Sequence, residues 1–277
     1  MPAKGQNSLG KNLPASRGSL GVIWRMGAVV LTLGSGLLFS ACGGDSKPNV
    51  SAEDLTVYLD KGQAYLNRGN AVMALPALQE AQAIDPDNLE VLVALGLAYD
   101  GVGRSQQALA VLEKAHEIEP HSGQISNNLG VAHMRLGQLE EAEKAFGEAL
   151  QDLTYATPED AQFNLALLYK RRGETEKMMT ALTRTIDYNP GHLGGRLELA
   201  DHYRDVGKPS LEKQQLQMGL AEHPDHLVLM ERLAKAYVAA GEQEGARAVY
   251  GRIARLAPQS ESGKRAIHWL SAVGTEE

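Results

Sequence analysis

The chain holds one thiol. Cys42 is the single cysteine among 277 residues and lies in the stretch LLFSACGGD, Leu37 to Asp45. A thiolate is a ready nucleophile, and the small residues Ser40-Ala41 before it leave a peptidase room to reach the backbone. Cleavage before the thiol and attachment of a lipid to its sulfur are the chemistry this pair of features suits. A packed cysteine is out of place beside Gly43-Gly44. The remaining alternative is a thiol left idle outside an uncleaved membrane anchor. Elsewhere the sequence offers little to catalysis: it has no G-x-S-x-G elbow, no P-loop and no cysteine-based zinc pattern. His223-x-x-His226 is the nearest approach to a metal pair.

The residues upstream of Cys42 form an export signal. Residues 1–41 carry Lys4, Lys11, Arg17 and Arg25 and no acidic residue, and they close on an uncharged run from Met26 to Ala41. A charged region followed by an apolar one is the arrangement of a secretory signal. The run is 16 residues, shorter than the roughly 20 needed to span a hydrocarbon core. With the cysteine at its end it resembles the lipobox of bacterial lipoproteins, Phe39 standing where that pattern usually has Leu. The resemblance implies a mature chain beginning at Cys42 and held by several acyl chains, which fits the need for more than one lipid in stable anchoring. Gly43, where an Asp would resemble the inner-membrane retention signal of enteric bacteria, favours the outer membrane, with the protein facing the periplasm. Residues 42–54 then read as the lipidated end and a flexible linker of Gly, Ser, Pro and charged residues.

Loss of the four signal cations takes the net charge from −7 to −11. So acidic a mature domain is a poor match for nucleic acid or for anionic lipid surfaces. With Cys42 acylated no disulfide is possible, and stability must come from packing.

The rest of the chain repeats. KGQAYLNRG, LGLAYDGVG, LGVAHMRLG, LALLYKRRG, LADHYRDVG and LAKAYVAAG align on Gly69, Gly103, Gly137, Gly173, Gly207 and Gly241, spaced 34, 34, 36, 34 and 34 residues apart. Tyr65, Tyr99, His133, Tyr169, Tyr203 and Tyr237 stand four places before those glycines, and Gly62, Gly96, Gly130, Ala166, Ala200 and Ala234 three places earlier again. A second half-unit follows each, with Ala74, Ala108, Ala142 and Ala246, then Leu78, Leu112, Phe146, Leu182, Leu216 and Tyr250; Pro86, Pro120, Pro190, Pro224 and Pro258 close five units. Periods of this length mark stacked supersecondary units. The pattern resembles the tetratricopeptide repeat over residues 55–260 and implies an all-α superhelical solenoid of six repeats, each a pair of antiparallel helices. The small residue of helix A should admit helix B closely, and the glycine should take the left-handed turn between them. Residues 261–277, with Ala266, Ile267, Trp269 and Leu270 at helical spacing, read as a capping helix and tail.

Three departures stand out. Met178 and Glu212 occupy the small-residue place of helix B, so repeats four and five should pack less closely. The third unit is two residues long in excess and its proline, Pro158, arrives late, so QDLTYATPED either extends helix B or bulges as a loop. His223 and His226 fall around Pro224 at a junction, where a surface turn is the simpler reading, and His133 takes the place of a packing tyrosine.

The resemblance also says where a partner would bind. In this fold helix A lines the inner surface, and in repeats two to four the lining places hold Val93, Leu97, Asn127, Asn128, Val131, Met134, Arg135, Phe163, Asn164, Leu167, Lys170 and Arg171. An apolar floor with amides and cations beside it suits a peptide or helix, with Phe163 the largest side chain and the cations setting orientation. Some of these apolar residues could instead pack within the superhelix. Repeats five and six present Glu198, Asp201, Arg204, Asp205, Glu231, Arg232 and Lys235, a solvated end of the groove.

Signal, lone cysteine, six repeats and a long third unit together resemble the pilotins of type IV pili. That resemblance implies a non-enzymatic outer-membrane lipoprotein that binds a secretin subunit and promotes its targeting and multimer assembly, with no cofactor beyond the lipid on Cys42 and no small-molecule substrate. The other classes are a lipoprotein scaffold that recruits peptidoglycan hydrolases or polysaccharide-export proteins, and an enzyme built on a helical scaffold.

Overall fold

The computed structural model describes residues 52–273, and all regular structure among them is helical. Cys42, the signal and most of the linker lie outside the described residues. Unit one pairs α1 (Ala52–Asn67) with α2 (Ala71–Ile84), unit two α3 (Leu89–Gly101) with α4 (Ser105–Ile118), and unit three α5 (Gly123–Leu136) with α6 (Leu139–Ala149). Units four to six pair α7 (Pro158–Arg172) with α8 (Thr175–Tyr188), α9 (Leu193–Asp205) with α10 (Pro209–Glu222), and α11 (Leu227–Ala239) with α12 (Gln243–Leu256). A last helix, α13 (Glu261–Val273), packs on α12 as the expected cap. Helix α1 begins inside the stretch read as linker.

All six register glycines are left-handed, with φ from 68° to 80°. A side chain there would be strained, and the glycine lets the chain reverse from helix A into helix B. The prolines act at the opposite turn: Asp85, Glu119, Asn189, His223 and Ala257 each end a helix B immediately before one. Proline disfavours helical backbone in the residue before it.

Within a unit the two helices touch at the predicted pair. A methyl group on Gly62 would lie 2.4 Å from Leu78 Cδ2, one on Gly96 2.6 Å from Leu112, and one on Gly130 2.5 Å from Phe146. Leu78, Leu112, Phe146, Leu182 and Leu216 are all fully buried, each worth about 1.5–3 kcal/mol. Met178 and Glu212 are buried in the places where the other units have alanine.

The third unit resolves as a loop. α6 stops at Ala149, and residues 150–157 bulge before Pro158 opens α7. Asp152 pins the bulge by accepting from Gly123 N at 2.8 Å, Thr154 N at 2.8 Å and Thr154 Oγ1 at 2.6 Å. Tyr155 fills the space beside Gly123, where a Cβ would lie 2.6 Å from the Tyr155 Cβ. The loop is thereby built against the first residue of α5.

Candidate partner-binding groove

In units one to four helix A packs beside helix A of the next unit, α1 on α3, α3 on α5 and α5 on α7, so these helices share one face. Two adjoining cavities open on it. The first, about 410 Å³, has Leu66, Leu89, Val93, Ala94, Leu97 and Ile125 as its apolar floor and Gln63, Asn67, Glu90 and Glu119 at its edges. The second, about 420 Å³, lies between α5, the 150–157 loop and the start of α7, and is lined by Asn127, Asn128, Asp152, Thr154, Tyr155 and Asp160 among others. Ser122 and Gln124 border both. The groove therefore runs without interruption from unit one to unit four.

The structure divides the residues expected to meet a partner. Val93 and Leu97 lie in the first cavity, Leu97 well exposed. Asn127 and Asn128 lie in the second, and Asn164 Nδ2 donates to Asn127 Oδ1 at 3.0 Å, tying α7 to α5. Asn128 Nδ2 is buried and has no hydrogen-bond partner. Val131, Met134 and Phe163 pack against the apolar cluster of units three to five, and Leu167 is half-buried. Phe163 is less open than its place in the repeat suggests. Its ring lies 4.8 Å from that of His192, and a Cβ on Gly194 would come within 2.6 Å of Phe163 Cζ. The glycine of α9 admits this ring, so much of Phe163 serves the joint between units four and five.

The cations differ most from expectation. Arg135 Nε meets Asp100 at 2.6 Å, Lys170 Nζ meets Glu198 at 2.6 Å, and Arg171 Nη1 donates to the Met134 carbonyl at 2.9 Å. Each is held by a neighbouring unit, and none lines either cavity. Burial pushes the Asp100 carboxyl above the usual range despite Arg135 beside it. The charges on the cavity walls are carboxylates. Hydrogen bonds from Thr154 and from Gly123 N lower the Asp152 pKa. His192 lowers that of Asp160, with a further hydrogen bond from Thr157. The floor in unit one, Gln63 and Leu66, was overlooked by a reading confined to units two to four, although both stand at inner-face places of the same register.

Units five and six present a ladder of ion pairs. Arg232 and Arg204 both meet Asp201 at 2.8 Å, and Lys235 and Arg265 both meet Glu231 at 2.9 Å. The Arg265 guanidinium, with Lys235 and Ser262, holds Glu231 down to about 2. His223 and His226 end α10 and begin α11, with ring centroids 6.4 Å apart. His223 Nε2 lies 2.8 Å from the Gly191 carbonyl, and His226 Nδ1 accepts from Leu229 N. These are junction contacts, and the described residues hold no group of three or more metal-ligating side chains. His133 packs in its tyrosine place with Nδ1 2.8 Å from Gln138 Oε1.

Family models described as tetratricopeptide repeat match residues 55–88, 101–168, 160–192 and 229–260. No curated protein sequence matches the chain. Among solved structures, PilW, described as a widely conserved type IV pilus biogenesis factor, superposes with a TM-score of 0.64 at 20% identity, over 78% of this chain and 100% of its own. PilF of Pseudomonas aeruginosa follows with a TM-score of 0.61 at 21% identity, over 77% and 96%. A thermophilic TPR protein of Thermus thermophilus gives 0.58 at 21%, over 66% and 99%. At such identities the likeness is one of fold. Because the repeat models together cover more than half of the chain, and five of its six helix pairs in whole or in part, the chain belongs to the tetratricopeptide-repeat family.

Proposed function

We propose that this protein is an outer-membrane lipoprotein, acylated on Cys42 and facing the periplasm, that binds a secretin subunit and promotes its assembly into multimers for type IV pili. The observation that carries the reading is the pair of adjoining cavities on the inner face of units one to four, where exposed Leu97 and half-buried Leu66, Leu89 and Val93 gather on one floor. Burying a partner's Leu or Phe there is worth about 1.5–3 kcal/mol. Support for a pilus partner comes from the likeness of fold to PilW and PilF, which extends over nearly the whole of both.

The test is a deletion strain complemented with the wild type or with Cys42→Ala. Heat-resistant secretin multimers should vanish from the envelopes of the deletion strain while monomer persists, and should return only with the wild type. Cys42→Ala should also fail to incorporate labelled fatty acid. Normal multimers in the deletion strain would replace the secretin by a hydrolase or polysaccharide-export partner.

A further inference from the structure

The groove has a sign. Glu90 and Glu119 border its first cavity, Asp152 and Asp160 its second, and no Lys, Arg or His lines either one. The nearest inner-face cations are held elsewhere: Arg135 by Asp100, Lys170 by Glu198 and Arg171 by the Met134 carbonyl. An apolar floor thus continues into a walled pocket whose only charges are negative.

The second cavity is the more specific of the two. It exists because the third unit carries two extra residues, which turn the junction into the 150–157 loop and set Asp152, Thr154 and Tyr155 opposite Asn127 and Asn128. Asp152 is fixed by three donors from its own chain, so it needs no rearrangement to meet a ligand. The Asp160 side chain remains about half exposed while facing His192 at 3.8 Å. Around them stand the amides of Gln124, Asn127 and Asn128 and the hydroxyls of Ser122, Thr154 and Thr157. Carboxylates accept only, and amide and hydroxyl oxygens accept as well. A guanidinium, which only donates, can meet the carboxylates and the amide and hydroxyl oxygens of this wall, while Asn128 Nδ2 calls for an acceptor such as a backbone carbonyl of the same segment.

Resting on the groove reading above, we infer that the segment it holds is basic and amphipathic. Its apolar side chains lie on the floor made by Leu66, Leu89, Val93 and Leu97, and an arginine or lysine from the same segment enters the Asp152/Asp160 pocket. An acidic segment would set like charges against all four carboxylates. A neutral one would fill the floor and leave the pocket's ionised wall without a counter-charge.

The probe is a synthetic amphipathic helix with a leucine face and arginines on the polar face, compared with the same peptide carrying citrulline in place of every arginine. Citrulline keeps the shape and removes the charge. Titrated into the protein purified in non-ionic detergent at low salt, the arginine peptide should bind at least tenfold more tightly, with the gap narrowing severalfold in 0.5 M salt. Asp160→Asn should weaken the arginine peptide at least threefold and leave the citrulline peptide unchanged. Glu90→Gln should act in the same direction, and Glu261→Gln on α13 should change neither. Circular dichroism checks that each variant is folded. Equal affinity for the two peptides, tighter binding of a glutamate counterpart, or binding of none would overturn the inference. The multimer experiment is independent: arginine-selective binding with normal secretin multimers would keep the groove's chemistry and change only the partner.

Discussion

The two halves of the solenoid hold themselves together by different means. In units one to three an unbroken apolar cluster runs from Leu59 to Ala145, with Leu92, Leu95, Leu112 and Ile125 fully or almost fully buried. From α9 onward the apolar core divides into two smaller clusters, and polar groups enter it. Arg196 is buried, donating to Gln215 Oε1 at 2.7 Å and to the Pro190 carbonyl at 3.0 Å, and Glu212 is buried in an alanine place. Ion pairs then link helix A to helix A, Lys170 with Glu198, Arg232 with Asp201 and Arg265 with Glu231. The N-terminal half, stable through apolar packing, pairs Asp100 with Arg135 but leaves Glu90 and Glu119 on the cavity wall without a cation beside them in the cavity lining. In the C-terminal half the carboxylates Glu198, Asp201 and Glu231 of the same face are met by cations of the chain itself.

The largest test of that contrast is Leu112→Ala. This side chain fills the space against Gly96, and its loss should cost about 2–5 kcal/mol in a urea titration. The cost should not change between 0.1 and 1 M NaCl. A salt-dependent cost would mean that charge, and not packing, holds the N-terminal half.

Next in size is Glu212→Ala, which restores the residue type found at this place in four other units. Burial raises the Glu212 pKa above its ordinary value. The folded state therefore binds this proton more tightly than the unfolded chain does, and stability is lost as pH rises through the folded-state pKa. Removing the carboxylate should raise stability by about 1 kcal/mol at pH 7, with the gain disappearing below pH ~4.5, where Glu is neutral in both states. A gain that is the same at pH 4 and pH 7 would point to shape and not to charge.

What could be read from sequence alone follows the same division. The glycine turns, the Gly62–Leu78 type of contact and the proline stops are local, recur at a fixed period and involve residues with one physical use, so all were legible. The third-unit irregularity was visible as a length, but its outcome depended on Asp152 finding Gly123 N across 29 residues, which no periodicity announces. The pairing of the inner-face cations was not legible for a related cause. Arg135, Lys170 and Arg171 occupy inner-face places, yet each bonds to a unit next along the solenoid, 28 to 37 residues away. Charge on a repeat surface is set by pairs between units, and the register of one unit does not contain them. Phe163 shows the same limit, since its burial depends on Gly194 in the following unit.

The smallest effect should come from Arg265→Met at the C-terminal end of the ladder. Arg265 bonds Glu231 through Nε at 3.1 Å and Nη2 at 2.9 Å, and with Lys235 and Ser262 it holds that carboxyl down to about 2. A folded-state pKa below the unfolded one contributes stability above pH ~4.5 that is lost as pH falls toward 2. Arg265 itself is more than half exposed, so solvent screens the pair and the shift in Tm at pH 7 should not exceed about 2 °C. The informative reading is the acid limb: with its main partner removed, Glu231 should titrate nearer its ordinary value, and the wild type's loss of stability between pH 4.5 and pH 2 should become shallower in the variant. The difference between the two proteins should shrink in 1 M NaCl, unlike the cost of Leu112→Ala. If Arg265→Met leaves the acid limb unchanged while Leu112→Ala responds to salt, the division of the solenoid into an apolar half and an ion-paired half is wrong.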